Sequence, residues 1–205
     1  MSLEIIFGIN ASGKDTIARE LKKIDNEIQI TSESRLLMYH LGYISSFNFE
    51  NPINREDYKK LENTSQEKIK QITETSYKQT LENFRDSNIK YVLLSHLVFV
   101  LSLDKNKPIY LTDREVPSWY NKVGNNFIQI ICNPEEILRR RLKDKNNHTR
   151  DRGNIDSFVE INKHQSLCDI KWKKLVKNLH KNTYKTIIND DLISAVNIIN
   201  NFIKK

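Results

Sequence analysis

The chain has 205 residues, 38% hydrophobic and 29% charged, which fits one folded domain with a sizeable core and excludes a disordered or fibrous protein. Its formal charge of +7 points to anionic partners, a need that nucleotides meet as well as nucleic acid, or else reflects solvated faces of a Lys- and Asn-rich chain. No apolar run approaches the roughly 20 residues of a membrane span, and the chain enters a strand too early for a signal peptide. Cys132 and Cys168 lack metal-type spacing and read as free thiols of a reducing compartment, so a cytoplasmic location is expected.

Leu3 to Phe7, short and mostly apolar, predicts a buried strand. Gly8-Ile9-Asn10-Ala11-Ser12-Gly13-Lys14 then fits G-x-x-x-x-G-K, continues as Asp15-Thr16, and opens a helical pattern at Thr16. Strand, glycine loop and helix form the context a phosphate-binding loop requires. Two glycines let backbone N–H groups approach phosphate oxygens, the helix dipole favours a polyanion, and Lys14 supplies a point charge to the outer phosphates. Residues 28–31 predict a second strand and 35–43 a short helix, followed by a polar, irregular stretch over 44–63. Residues 64–85 carry Ile69, Ile72, Tyr77, Leu81 and Phe84 near a helical period. Residues 91–94 predict a third strand, 101–112 a loop, 116–122 a short helix and 127–132 a fourth strand. Asn133-Pro134 starts a helix that turns Ile137, Leu138 and Leu142 inward. A charged loop over 146–154, a long helix over 156–180, a fifth strand over 184–188 and a helix from 192 complete the chain.

Short apolar strands alternating with helices predict a three-layer α/β/α fold around a five-stranded, mostly parallel sheet, with the ligand beyond the carboxyl ends of the strands. The whole chain is one domain, with a helical insertion at about 32–86 and a short lid at about 144–155. Three polar clusters surround the expected site. Arg139, Arg140 and Arg141, with Arg150 and Arg152, flank the late loop; arginine forks grip phosphate oxygens and stabilise a transferring phosphoryl group, although a solvated basic helix face has the same composition. Ser34, Arg35 and Arg55 flank the insertion, and Ser95-His96 ends the third strand, where a packed histidine is the plainer alternative.

In order and spacing, these pieces resemble the archaeal-type adenylate kinases among the nucleoside monophosphate kinases, over nearly the whole chain. The resemblance rests on Arg55 to Leu61 with Ser65-Gln66 and Ile69, on Ser95-His96, on Ile137 to Asp144, and on Arg150-Asp151 with His164-Gln165 around the lid. It implies transfer of the terminal phosphoryl group of Mg2+-bound ATP to a nucleoside monophosphate. Gly8, Asn10, Ala11, Ser12, Gly13, Lys14, Asp15 and Thr16 would then hold the donor phosphates, and Arg140, Arg141 and Arg150 would contact phosphates or stack on the donor base. Lys14, Arg140 and Arg150 would carry the catalysis, while Ser34, Arg35, Arg55, Ser95 and His96 would face the acceptor.

The sequence also departs from that pattern. Asp15 stands where a metal-binding Ser or Thr is usual, leaving Thr16 for Mg2+; Ser12 to Thr16 is similar to the S-G-K-D-T of some phage deoxynucleoside monophosphate kinases. Leu94 replaces an acid, Lys59 replaces an arginine, and Asp113 and Glu115 add negative charge before Pro117, which leaves the acceptor base open. Two alternatives stand beside the kinase reading: a slow regulatory or assembly ATPase working with a protein or RNA partner, and a kinase with another small-molecule acceptor. No aromatic–basic platform for single strands is present, so nucleic acid is not the expected partner, and no sequence feature sets the oligomeric state.

Overall fold

Leu3–Phe7 forms β1, and all five of its residues are buried. A strand buried on both faces needs cover on both, which is the mark of a parallel sheet between helical layers. In the computed structural model, which describes residues 2–9, 11–95, 119–146, 158–179 and 183–204, that sheet has five strands. They are β1, β2 (Gln29–Ser32), β3 (Tyr91–Ser95), β4 (Asn126–Ile131) and β5 (Tyr184–Ile188), in the order β2-β3-β1-β4-β5. Every pairing is parallel, and Ile5 lies opposite Leu93 on one side and Phe127 on the other.

The helices are α1 (Lys14–Ile24), α2 (Glu33–His40), α3 (Arg55–Glu62), α4 (Gln66–Ile72), α5 (Lys78–Asp86), α6 (Tyr120–Val123), α7 (Pro134–Asn146), α8 (Phe158–Val176) and α9 (Leu192–Ile203). Alternation along β1 divides them between two cores. Leu3, Ile5 and Phe7 join a cluster with residues of α2, α5 and α8, where the Phe7 and Trp172 rings lie 4.7 Å apart. Ile6 joins the opposite cluster, built with Ile17 and Leu21 of α1 and Val196 and Ile199 of α9. Each large side chain buried this way contributes roughly 1.5–3 kcal/mol. The result is the three-layer fold expected from the alternation of elements, and among the described residues no helix is long and apolar enough to cross a membrane.

Three local expectations are corrected. The stretch over 44–63 is not irregular throughout, because it contains α3, which Asn54 caps by accepting from the Asp57 N–H. Only Asp57 and Leu61 of α3 are buried, so its apolar signal was too sparse to stand out. The helix expected over 64–85 spans α4 to α5 but carries a π-helical turn over Thr73–Tyr77. In α7, Ile137 is fully buried while Leu142 is 43% exposed, and Arg141, one turn beyond Ile137, takes the inward position. The loop expected over 101–112 lies outside the described residues, as do most of the loop over 146–154 and most of the lid segment.

The chain leaves β1 towards β2 on one side of the sheet and leaves β4 towards β5 on the other. The carboxyl ends of β1 and β4 therefore flank a topological switch point, the crevice where open α/β sheets bind ligands. The glycine loop emerges there.

Candidate functional site

Gly8 closes β1 against β4. A Cβ on it would lie 2.5 Å from the Ile130 carbonyl oxygen, so no other residue fits without moving the strand. The loop then folds back on itself, with the Ser12 N–H donating to the Ile9 carbonyl at 3.2 Å. Ala11 and Gly13 both take left-handed backbone, at φ 68° and 96°. At Ala11 that conformation costs about 1 kcal/mol, which a glycine would avoid. Gly13 carries its carbonyl into the first helical bond of α1, to the Ile17 N–H at 3.0 Å. Lys14, 5% exposed, sends Nζ back over the loop to the carbonyls of Gly8 (2.7 Å) and Ile9 (3.0 Å). Asp15 lies in the first turn of α1, and Thr16 beside it is exposed. Asn10 lies outside the described residues.

The underside of the loop is apolar. Ile9 is buried with Cys132, Ile137, Ile161 and Cys168, and Ala11 packs at the edge of that cluster. Burial pushes the Cys168 thiol up to about 11 despite the opposing charge of Lys14, so it stays a protonated packing group at neutral pH.

Two elements on the β4–β5 side hold the loop from outside. Arg140 of α7 donates from Nη1 to the Ala11 carbonyl at 3.3 Å and from Nε to Glu136 at 2.7 Å. Arg139 grips the same carboxylate, and its hydrogen bonds, followed by those of Arg140, pull Glu136 down to about 2. Asn189, 2% exposed just past β5, donates from Nδ2 to the Ser12 carbonyl at 2.8 Å, and its own N–H bonds to the Ile131 carbonyl at 2.8 Å. Sequence reasoning missed Asn189, although its place at the carboxyl end of a strand beside the loop was a usable signal. Arg141 is 6% exposed, and Arg150 lies outside the described residues.

The β2–β3 side has a different chemistry. Arg35, 8% exposed on α2, donates from Nη1 to the Asn48 carbonyl at 2.8 Å. Its guanidinium and that of Arg19 lie 5.2 and 5.1 Å from the centre of the Phe49 ring. Burial pulls the Arg35 pKa down, and the charges of Tyr58 of α3 and Asp15 of α1 partly oppose that shift. Ser34 Oγ lies 3.1 Å from Ser32 Oγ, and Arg55 is exposed at the start of α3. Ser95, fully buried at the end of β3, donates to Glu33 Oε1 at 2.6 Å, and the Tyr120 hydroxyl reaches the same oxygen at 2.9 Å. Burial first, and then the Glu33 charge, push the Tyr120 and Tyr77 phenols well up. His96, Asp113 and Glu115 lie outside the described residues.

Glu33 is the second residue that sequence reasoning passed over. Leu94 is buried and apolar, so no acid stands there, yet the first residue of α2, just past β2, brings a carboxylate to the neighbouring Ser95. Ser34 and Arg35 were singled out directly beside it. The helix expected over 35–43 left Glu33 outside any element, whereas the structure makes it the first residue of α2.

No protein-family model matches the chain, and no curated protein matches it. Solved structures do match it end to end. A shikimate kinase from Bacteroides thetaiotaomicron has a TM-score of 0.57 at 11% identity, covering 100% of this chain and 99% of its own. A deoxyadenosine kinase from M. mycoides with bound dCTP has a TM-score of 0.55 at 18% identity, with 98% of each chain covered. The thymidylate kinase of Candida albicans has a TM-score of 0.52 at 12% identity, covering 99% of this chain and 91% of its own. At such identities the likeness is one of fold, and it does not single out the archaeal-type adenylate kinases. Glycine loop, parallel sheet and full-length likeness together give this chain the fold of the P-loop kinases.

Proposed function

We propose that the protein is an ATP-dependent kinase that transfers a terminal phosphoryl group to a nucleoside monophosphate, with the donor on the β4–β5 side of the glycine loop and the acceptor on the β2–β3 side. The observation that carries this reading is Arg35, a nearly buried guanidinium on α2 that donates to the Asn48 carbonyl and shares the Phe49 ring with Arg19 of the loop helix. A phosphate acceptor brings two negative charges to the donor phosphates, and a fixed guanidinium beside the loop offsets their repulsion. The exposed aromatic Tyr58 offers the insertion a face for a base.

Lys14 would leave the Gly8 and Ile9 carbonyls for the outer phosphate oxygens of the donor, following the charge as it develops. Asp15 and Thr16 offer hard oxygen donors of the kind Mg2+ takes beside nucleotide phosphates, and the ion would supply further charge neutralisation there. An acceptor phosphate is already a nucleophile, so positioning and charge neutralisation supply the catalysis and no protein base is needed.

A second reading, a hydroxyl-bearing small-molecule acceptor, is favoured by Glu33. A neutral alcohol profits from a nearby carboxylate to take its proton, whereas a phosphate is repelled by one. The case for a slow regulatory ATPase drew on the acid missing at Leu94 and on the basic charge of the chain, and Glu33, bonded to Ser95 at the end of β3, weakens the first of these.

A coupled assay with ATP, Mg2+ and each monophosphate tests these readings. ADP formation that is fast with one monophosphate supports the proposal. Slow turnover indifferent to monophosphates sinks it. Glu33→Gln separates the first two readings: a phosphate acceptor predicts a loss in kcat within about tenfold, and a hydroxyl acceptor predicts a loss of about 10²–10⁴-fold, the usual worth of a positioned base.

A further inference from the structure

Two features of the glycine loop stand apart from its expected contacts with phosphate. The Ser12 carbonyl points out of the loop to Asn189 Nδ2 at 2.8 Å, and a Cβ on Gly13 would lie 2.2 Å from that same nitrogen. Asn189 is therefore packed directly against the Ser12–Gly13 peptide. Its other polar atom, Oδ1, is buried with no hydrogen-bond partner among the described residues, so the side chain is held there by its donor end. Burying an amide half satisfied has a cost, and the bond to Ser12 is what the side chain gains in return.

In a trans peptide the carbonyl and the following N–H point in opposite directions, and the structure contains no cis peptide among its described residues. A Ser12 carbonyl drawn outward to Asn189 therefore turns the Gly13 N–H inward, to the open side of the loop. Glycine tolerates several peptide orientations, so the backbone at Gly13, with φ 96°, does not by itself fix this one. From this geometry we infer that Asn189 is a positioning residue that sets the direction of the Gly13 amide and so completes the phosphate cradle from the end of β5. The inference rests on reading residues 8–14 as that cradle, and it is independent of the acceptor. Asn189 acts on the tail of the donor, through the loop, and not on its base. Arg140 assists from α7 by holding the neighbouring Ala11 carbonyl at 3.3 Å.

The test is direct titration of the full chain with ATP and with inorganic tripolyphosphate, which has no base or sugar. Asn189→Asp keeps the volume and loses the donor, and Asn189→Ala removes the side chain without adding charge; melting curves establish that each is folded. Both variants are expected to bind both ligands about tenfold more weakly, the worth of one hydrogen bond in a charged site. The 15N–1H signal of Gly13, which shifts on tripolyphosphate binding in the wild type, is expected to shift less in both. Unchanged affinity for both ligands in a folded variant overturns the inference. So does a loss confined to ATP, which would make Asn189 a base contact. Lys14→Ala serves as a separate control. If it binds tripolyphosphate as the wild type does, the cradle reading itself falls and takes the role of Asn189 with it.

Discussion

Glu4 is fully buried in β1, and desolvation raises its pKa above the ordinary 4.5, with Ser2, Asn126 and Lys90 partly offsetting the shift. The folded chain then holds this proton at a pH where the unfolded chain has released it. Stability contributed by the group is present below the unfolded value and declines as pH rises through the raised one. Glu4→Gln has no such proton to lose. Urea unfolding at pH 4 and pH 7 is expected to show the variant gaining on the wild type by on the order of 1 kcal/mol towards neutrality. Parallel pH profiles would contradict this. Glu136 works in the opposite sense: gripped by Arg139 and Arg140 and held at about 2, it stays ionised through the working range and keeps Arg140 aimed at the loop. Neither behaviour follows from residue type alone, because both glutamates have the same intrinsic chemistry and differ only in what surrounds them.

The π-helical turn is the clearest case at the scale of an element. From Ile69, the inward residues Tyr77, Leu81 and Phe84 lie 8, 12 and 15 positions along the chain. An α-helical stripe needs about 7, 11 and 14, since each residue turns the helix by about 100°. One residue is in excess, and the turn over Thr73–Tyr77 absorbs it, so the stripe stays on the core side. Deleting the exposed Thr75 is therefore expected to leave the melting temperature within a few degrees, by turning the π turn into α-helix with the flanks in register. Inserting one alanine after Thr75 rotates Leu81 and Phe84 out of the core and is expected to cost several kcal/mol. Equal effects of the two changes on thermal melting would refute this account. The surplus is present in the sequence as an imperfect period, but a period that drifts reads as a weak helix until the packing shows which residues must face inward.

Across the whole molecule, the sheet divides the site. α7 and the end of β5 present Arg140 and Asn189, while α2 and β3 present Arg35, Glu33 and Ser95. The proposed donor on one side and acceptor on the other predict separable kinetics. Arg35→Ala is expected to raise the acceptor KM by about 10–100-fold, the worth of charge-assisted hydrogen bonds, and the ATP KM by less than about threefold. Arg35→Lys should recover part of the loss, because it keeps the charge without the fork. Steady-state kinetics with each substrate varied in turn decide this, and equal effects on both KM values would count against the division.

The three-layer fold and the glycine loop were legible in the chain itself, because both are local. Strand periodicity, flanking turns and the G-x-x-x-x-G-K spacing of Gly8 to Lys14 each lie within a few residues of sequence. Fold determined the neighbours of that loop. Asn189 lies 177 positions from Ser12, and Ser95 lies 62 from Glu33, so no window along the chain holds either pair. Only the parallel order β2-β3-β1-β4-β5 draws the carboxyl ends of distant strands together, and with them the amide, the carboxylate and the guanidinium groups that give the loop its two chemically distinct sides.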